Sequence, residues 1–276
     1  MEVQSPQAGP SSSAGRQEEW IVRQNTMKGK LQSGEPVLGV SIMIPCPQIV
    51  EMVGKLGFDW VMIDCEHGSL SLESVELMVM AAEASGLVPI VRPQTSHPDA
   101  ILQVLDRGAL GVQVPHVNTA HDAQRAVESS KYYPMGQRGL AVGTRSSDYG
   151  FGLSMADYVR QANEETLVCV QLEEVEALRN LDAILQVQGV DVFFVGPSDL
   201  SQSMGYPGQA NAPAVRTAIS RAFAAIKAAG RVSGSAGGAE QIAEHLSEGC
   251  LYLYTHLPRL LSAGAAQFMQ TVTTRR

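Results

Sequence analysis

From Pro36 onward, short apolar runs alternate with stretches whose apolar residues recur at helical spacing. The strand-like runs fall at 38–42, 60–63, 88–91, 111–114, 167–172, 190–195, 231–233 and 250–254. Helical patterns lie between them, at 72–84, 98–106, 120–129, 213–229 and 239–247. Ser71 stands before Leu72 and Glu73 as an N-cap, and Ser96-His97-Pro98 places a proline in the first turn of the next helix. Eight strand-then-helix units within roughly 240 residues predict a single-domain α/β fold, the (β/α)8 TIM barrel. A doubly wound open sheet is the alternative, but it carries a GxGxxG turn after its first strand. GVDVFFVGPSD and GSAGG contain glycines without that spacing, so the barrel is favoured.

The flanks read differently. Residues 1–17 are rich in Ser, Pro, Gln and Gly and predict a disordered tail, with neither the apolar core of a signal peptide nor the arginines of a transit peptide. Residues 18–31 predict a short amphipathic helix, so the barrel domain with this helix spans 18–276. One connection, 131–163 between the fourth and fifth strands, is unusually long. It reads either as a lid or binding loop, or as a surface excursion or subunit contact.

Composition narrows the function. With 276 residues, 45% of them hydrophobic, the chain can bury a sizeable core. A net charge of −8 offers no basic footprint for nucleic acid or an anionic membrane, and no apolar run is long enough to span a bilayer. The 4 cysteines are scattered with no CxxC pair, which predicts buried free thiols and a reducing, cytoplasmic setting.

In such a barrel the chemistry sits at the C-terminal ends of the strands. Asp64, Glu66 and His67 follow the second strand, Arg92 closes the third, and His116 follows the fourth. Gln171 and Glu173 end the fifth on one face, and Asp199 follows the sixth. The acids lie where a strand leaves the core and so need not be buried. Glu173 and Asp199, on neighbouring strand ends, suggest a divalent cation held by oxygen, with Mg2+ the expected ion and Mn2+ or Co2+ as alternatives. Arg92 would offset negative charge growing on a polarised carbonyl. His67 suits proton transfer, with Asp64 three residues earlier to orient its ring. The turn Gly196-Pro197-Ser198-Asp199 can present N–H groups to a carboxylate. Each residue alone also has a plain structural reading: helix cap, loop bridge, satisfied histidine. Their convergence is what points to a site. His97, His121 and His245 read as surface groups or caps, whereas the parts played by Glu66, His116 and His256 stay open.

These residues stand in stretches that resemble the HpcH/HpaI aldolase family, the metal-dependent (class II) pyruvate aldolases: GFDWVMIDCEHG, VPIVRP, ILQVLDRGALGVQVPHV, YYPMGQRG, VCVQLEEVEALRNLDAIL and GVDVFFVGPSDLSQSMGYPG. The resemblance covers about 39–268 and implies a lyase that splits a 4-hydroxy-2-oxo acid into pyruvate and an aldehyde. It implies that Glu173 and Asp199 ligate the metal beside Gln171, and that His67 is the base with Asp64 as its dyad partner. Arg92 would meet the keto oxygen, and the backbone of Ser198 and Asp199 the pyruvate carboxylate. Asp106 matches an acid that reaches a neighbouring subunit's site, in homohexamers built as trimers of dimers with an exchanged last helix. Three segments depart from the family pattern: Tyr133 replaces a proline, 234–238 is small and polar, and Tyr254-Thr255-His256-Leu257-Pro258 stands where relatives carry Gly-x-Asp. The last two bear on the aldehyde side of the pocket. The alternatives are an oxaloacetate decarboxylase or a macrophomate-synthase-like carbon–carbon bond-forming enzyme on the same site. Further off stand a citrate-lyase β-subunit-like enzyme acting on CoA thioesters, and a noncatalytic barrel. Under the macrophomate-synthase-like alternative, the 145–158 segment, with Tyr149 and Tyr158, would serve a bulkier acceptor.

Overall fold

The computed structural model describes residues 23–274. Eight parallel strands close a barrel in chain order: β1 (Val37–Ile42), β2 (Trp60–Asp64), β3 (Val88–Arg92), β4 (Gly111–Val114), β5 (Leu167–Leu172), β6 (Val192–Val195), β7 (Val232–Ala236) and β8 (Tyr252–His256), with β8 pairing back onto β1. Helix α1 (Thr26–Gln32) precedes the barrel. Helices α2 (Pro47–Lys55), α3 (Leu72–Ala84), α4 (Pro98–Asp106) and α5 (Ala120–Ser130) follow the first four strands in turn. Then come α6 (Met155–Glu165) before β5, α7 (Val175–Arg179) and α8 (Leu181–Leu185) after it, and α9 (Pro197–Ser203) and α10 (Pro213–Ala228) after β6. Helix α11 (Ala239–Ser247) follows β7, and α12 (Leu257–Thr273) follows β8. No helix of the described residues is long and apolar enough to cross a membrane.

Alternation along each strand divides the apolar residues into two cores. Val40, Ile42, Val61, Ile63, Val91, Val168, Val170 and Phe193 face outward and pack against the helices. Val37, Trp60, Met62, Ile90, Cys169, Phe194, Tyr252 and Tyr254 face inward. Aromatic rings plug the interior: Trp60 lies 4.2 Å from Tyr252 and edge-on to Tyr254, which stacks on Phe194. Glycines make the room. A Cβ on Gly39 would come within 2.3 Å of Trp60 Cε2, and one on Gly234 within 2.9 Å of Tyr252. At the N-terminal end, Met27 and Leu31 of α1 close the interior core.

The predicted elements recur with four differences. The predicted tail and the first part of the predicted N-terminal helix lie outside the described residues. The observed helix starts at Thr26 because the Asn25 side chain caps it, accepting from Lys28 N–H, while its amide donates to the carbonyls of Leu110 and Glu165. Strand β7 runs on through Gly234 to Ala236, three residues past the expected end; the neighbouring rings fill the space that a side chain at Gly234 would take. Strand β8 extends to His256, two residues further than expected. Finally, 131–163 is not a lid over its own barrel. It packs toward the barrel's N-terminal end, where Arg145 pairs with Glu83 near the end of α3 and Arg138 with Asp106 at the end of α4. Its small core buries Tyr132 and Tyr158, whose hydroxyls lie 3.1 Å apart, so Tyr158 is not free to line an acceptor pocket. Lys131 anchors this segment by donating to the carbonyls of Asn163 and Thr166 at the end of α6. Burial lowers the Lys131 pKa to about 8.

Substituting Gly39→Ala is expected to destabilise the fold by about 1–3 kcal/mol, because the new methyl must displace a packed indole. A urea unfolding midpoint equal to that of the parent chain would show that Trp60 moves aside freely.

Candidate active site

Asp64 and Arg92 are register partners on β2 and β3, both directed into the barrel at its C-terminal mouth. Asp64 is fully buried, although its place at a strand exit does not require it. Arg92 Nε donates to Asp64 Oδ1 at 2.9 Å, and Nη2 donates to Oδ2, giving a two-point ion pair. Burial opposes the charge on Arg92, but the Asp64 hydrogen bonds, with the charges of Asp64 and Glu66, outweigh it and hold its pKa above the ordinary value. Asp64 Oδ1 also accepts from the N–H groups of Glu66 at 3.1 Å and His67 at 3.3 Å. The aspartate therefore holds the His67 backbone, and the expected contact with the His67 ring is not formed. That ring is 55% exposed at the rim, 3.9 Å from Glu66 Oε2.

A chain of amides crosses the mouth below this pair. Tyr252 O–H donates to Gln113 Oε1 at 3.1 Å, and Gln113 Nε2 donates to Gln171 Oε1. Gln171 Nε2 donates to Glu173 Oε2 at 2.7 Å. Arg92 Nη1 reaches the same Gln171 oxygen at 3.4 Å. Each amide is thereby fixed in one orientation, and the Glu173 carboxylate is placed. Glu173 is only 2% exposed, and its other oxygen accepts from His116 N–H at 2.8 Å. Gly196 leaves the space it occupies, since a Cβ there would lie 3.1 Å from Glu173 Oε2. Burial raises the Glu173 pKa; the His116 N–H and ring oppose this, while the like charges of Asp199 and Glu66 add to it.

Glu66 and His116, left open by sequence, join these two groups. Glu66 Oε2 faces Arg92 Nη1 at 3.2 Å as a charge contact, and Oε1 lies 3.2 Å from His116 Nε2. His116 Nδ1 in turn lies 3.4 Å from Glu173 Oε1 and 3.1 Å from Glu174 Oε1. His116 holds a left-handed backbone, φ 55°, a strained state for a non-glycine residue and one concentrated at functional sites. Ser198 and Asp199 fall in the first turn of α9, ahead of its Leu200 N–H to Gly196 bond. Asp106 is not part of this cluster; it ends α4 and pairs with Arg138 at 2.8 Å. Gln113 is the member that reading the sequence missed. The alternation that placed Gln171 inward applies equally to Gly111-Val112-Gln113-Val114.

Cys65 adds no nucleophile here, because burial pushes its thiol up to about 12. Among the described residues, no three His, Cys, Asp or Glu side chains form a closed metal cage. The donor set is instead one buried carboxylate with a second nearby, open to the mouth. This suits a hard cation that completes its coordination with water and substrate oxygens.

The HpcH/HpaI aldolase/citrate lyase profile matches residues 44–249. A 4-hydroxy-2-oxo-heptane-1,7-dioate aldolase from Shigella flexneri is 36% identical over 246 residues, 88% of this chain and 91% of its own. The crystal structure of an HpcH/HpaI aldolase/citrate lyase family protein from Burkholderia cenocepacia J2315 superposes with a TM-score of 0.85 at 30% identity, covering 91% of this chain and 100% of its own. Macrophomate synthase shares the fold, with a TM-score of 0.77 at 21% identity over 91% of this chain and 90% of its own. The chain belongs to the HpcH/HpaI aldolase/citrate lyase family and is a carbon–carbon lyase.

Proposed function

We propose that the protein is a class II pyruvate aldolase, which cleaves a 4-hydroxy-2-oxo acid into pyruvate and an aldehyde and runs the reverse addition. The observation that carries this reading is the juxtaposition, in one barrel mouth, of a buried carboxylate with a raised pKa, Glu173, and an arginine locked in its charged form by Asp64. Glu173 and Asp199 would hold a divalent cation, Mg2+ by the hardness of its donors, which when bound supplies Lewis acidity to the substrate's carboxylate and 2-oxo oxygen. Two mutually repelling carboxylates are stabilised by such an ion.

The chain's own residues do the rest. Arg92 donates to the 2-oxo oxygen and offsets the negative charge that grows there as C3–C4 breaks. The N–H groups of Ser198 and Asp199 receive the substrate carboxylate at the start of α9. His67, exposed at the rim, takes the proton of the 4-hydroxyl. The C3–C4 electron pair passes into the pyruvate enolate as the aldehyde forms, and a proton returned to C3 gives pyruvate. Asp64 positions this base through its backbone and Arg92 through its side chain.

The assembly is part of the same proposal. Beyond Leu260, which still packs on the outer core, α12 leaves the barrel with Leu261, Phe268 and Met269 exposed. On the outside of β1 and β8, Leu38, Phe58, Ile242 and Leu253 line an apolar groove of about 150 Å³. A second copy's α12 covers that groove, in dimers that trimerise to a hexamer, with Asp106 directed to a neighbouring mouth.

Incubation with pyruvate in D2O is expected to exchange the methyl protons only when Mg2+ or Mn2+ is added, and absence of exchange with every divalent ion would remove the aldolase reading. Calorimetry on Glu173→Ala should show divalent-ion binding lost. His67→Ala should keep the ion and lose at least about 10²-fold in kcat; equal ion loss in both variants would overturn this division of roles. Asp64→Asn leaves Arg92 buried without its counter-charge and is expected to destabilise the fold by about 3–5 kcal/mol in equilibrium unfolding. For the assembly, Phe268→Asp should shift the mass measured by light scattering to a smaller species. An unchanged mass would place the interface elsewhere.

A further inference from the structure

On the β8–β1 side of the mouth two polar atoms are buried without a hydrogen-bond partner among the described residues, Ser41 Oγ and His256 Nδ1. They belong to register partners, on β1 and β8. Both positions alternate inward: Ser41 follows Val37 and Gly39, and His256 follows Tyr252 and Tyr254. Ser41 is fully buried, and the His256 ring stands edge-on to Tyr254 with centroids 5.5 Å apart. Buried polar groups are ordinarily paired, because leaving them unpaired destabilises the fold. A neighbouring pair of unpaired atoms facing an active-site mouth is therefore explained by a group that arrives with the substrate.

The chemistry of that group follows from the donors and acceptors. Burial, then the charges of Arg259 and Arg92, lower the His256 pKa, so its imidazole is neutral near pH 7. A neutral imidazole nitrogen and a serine hydroxyl can between them give one hydrogen bond and take another. A hydroxyl group satisfies such a pair in either imidazole tautomer, whereas a carboxylate, which only accepts, satisfies it in one tautomer alone and an aliphatic chain in neither. Position follows from the neighbours. Ser41 is the register partner of both His256 and Met62, two residues before Asp64 on the same inward face, which sets the pair beside the reacting centre rather than at a distant rim. Glu173 and Asp199 occupy the β5–β6 side of the mouth, leaving the β8–β1 side to the half of the substrate that departs as the aldehyde. Ala236 on β7, opposite Tyr254 in register, keeps that side open.

We infer that Ser41 and His256 form a hydroxyl-binding subsite that selects acceptor aldehydes bearing a hydroxyl on the carbon next to the carbonyl. The inference rests on the pyruvate-aldolase reading. It is tested by aldol addition of pyruvate to glycolaldehyde and to acetaldehyde, which differ only in that hydroxyl, using the full chain with Mg2+. The parent protein should favour glycolaldehyde by at least about tenfold in kcat/KM, since a site built to bind a hydroxyl discriminates against its absence. Ser41→Ala and His256→Phe should each bring the ratio to within about threefold of one. His256→Asn, which keeps a polar group near the Nδ1 position, should retain most of the preference. A parent ratio near one, a preference that survives both Ser41→Ala and His256→Phe, or a loss in His256→Asn equal to that in His256→Phe would each overturn the subsite. Pyruvate proton exchange separates the two readings. Exchange without hydroxyl preference removes the subsite alone, whereas no exchange with any divalent ion removes the aldolase reading and the subsite with it.

Discussion

The buried ion pair between Asp64 and Arg92 is the constraint on which the mouth of this barrel depends. The two residues are register partners directed to the same interior face, so the pairing of β2 with β3 sets their side chains next to each other. With side-chain exposures of 0% and 6%, each would face a large desolvation penalty without its partner. The pairing leaves Arg92 Nη1 free of Asp64 and pointed across the mouth, toward Gln171 and Glu66. It also draws the backbone of Glu66 and His67 inward, since both N–H groups end on Asp64 Oδ1. One carboxylate thus sets the direction of the site's cation and the start of the loop that carries its candidate base.

The amide chain is the counterpart on the far side. Gln113 and Gln171 have no charge to lose, and each must satisfy donors and acceptors in a space closed below by Tyr252, Trp60 and Phe194. Their mutual bonds leave one amide N–H for Glu173, so the aromatic plug fixes the carboxylate through two glutamines. Packing at Gly39 and Gly234 is therefore linked to the geometry of the site two layers above it.

The fold was legible because each strand is a short apolar run between helical patterns, and chain order is barrel order. The site was legible wherever alternation alone decides direction, as for Gln171, and for Arg92 and Asp64 at strand ends. It was not legible where side chains choose partners. Asp64 and His67 are three residues apart, a spacing that permits a ring contact, but a buried arginine outcompetes an imidazole for a buried carboxylate. Glu66 and His116 took meaning only from neighbours on β3 and β5, which no local pattern connects. The 131–163 segment was left open between a lid and a surface excursion or subunit contact because length says nothing about which end of a barrel a loop covers; Glu83 and Asp106, at helix ends far along the chain, determine it.

The two sides of the mouth differ in how freely they can change. On the β2, β3, β5 and β6 side, charges are buried and mutually dependent. Removing one leaves another unpaired in a low-dielectric setting, so substitutions there are costly before any chemistry is considered. At the mouth on the β8 and β1 side, above the inward tyrosines of β8, the inward groups are a neutral histidine and a serine, with Ala236 on β7. Exchanging such groups changes hydrogen bonding and volume without stranding a charge. On the proposed function, a barrel arranged this way holds pyruvate chemistry fixed while the acceptor side varies, and the departures of this chain from the family pattern at 234–238 and 254–258 fall on that variable side.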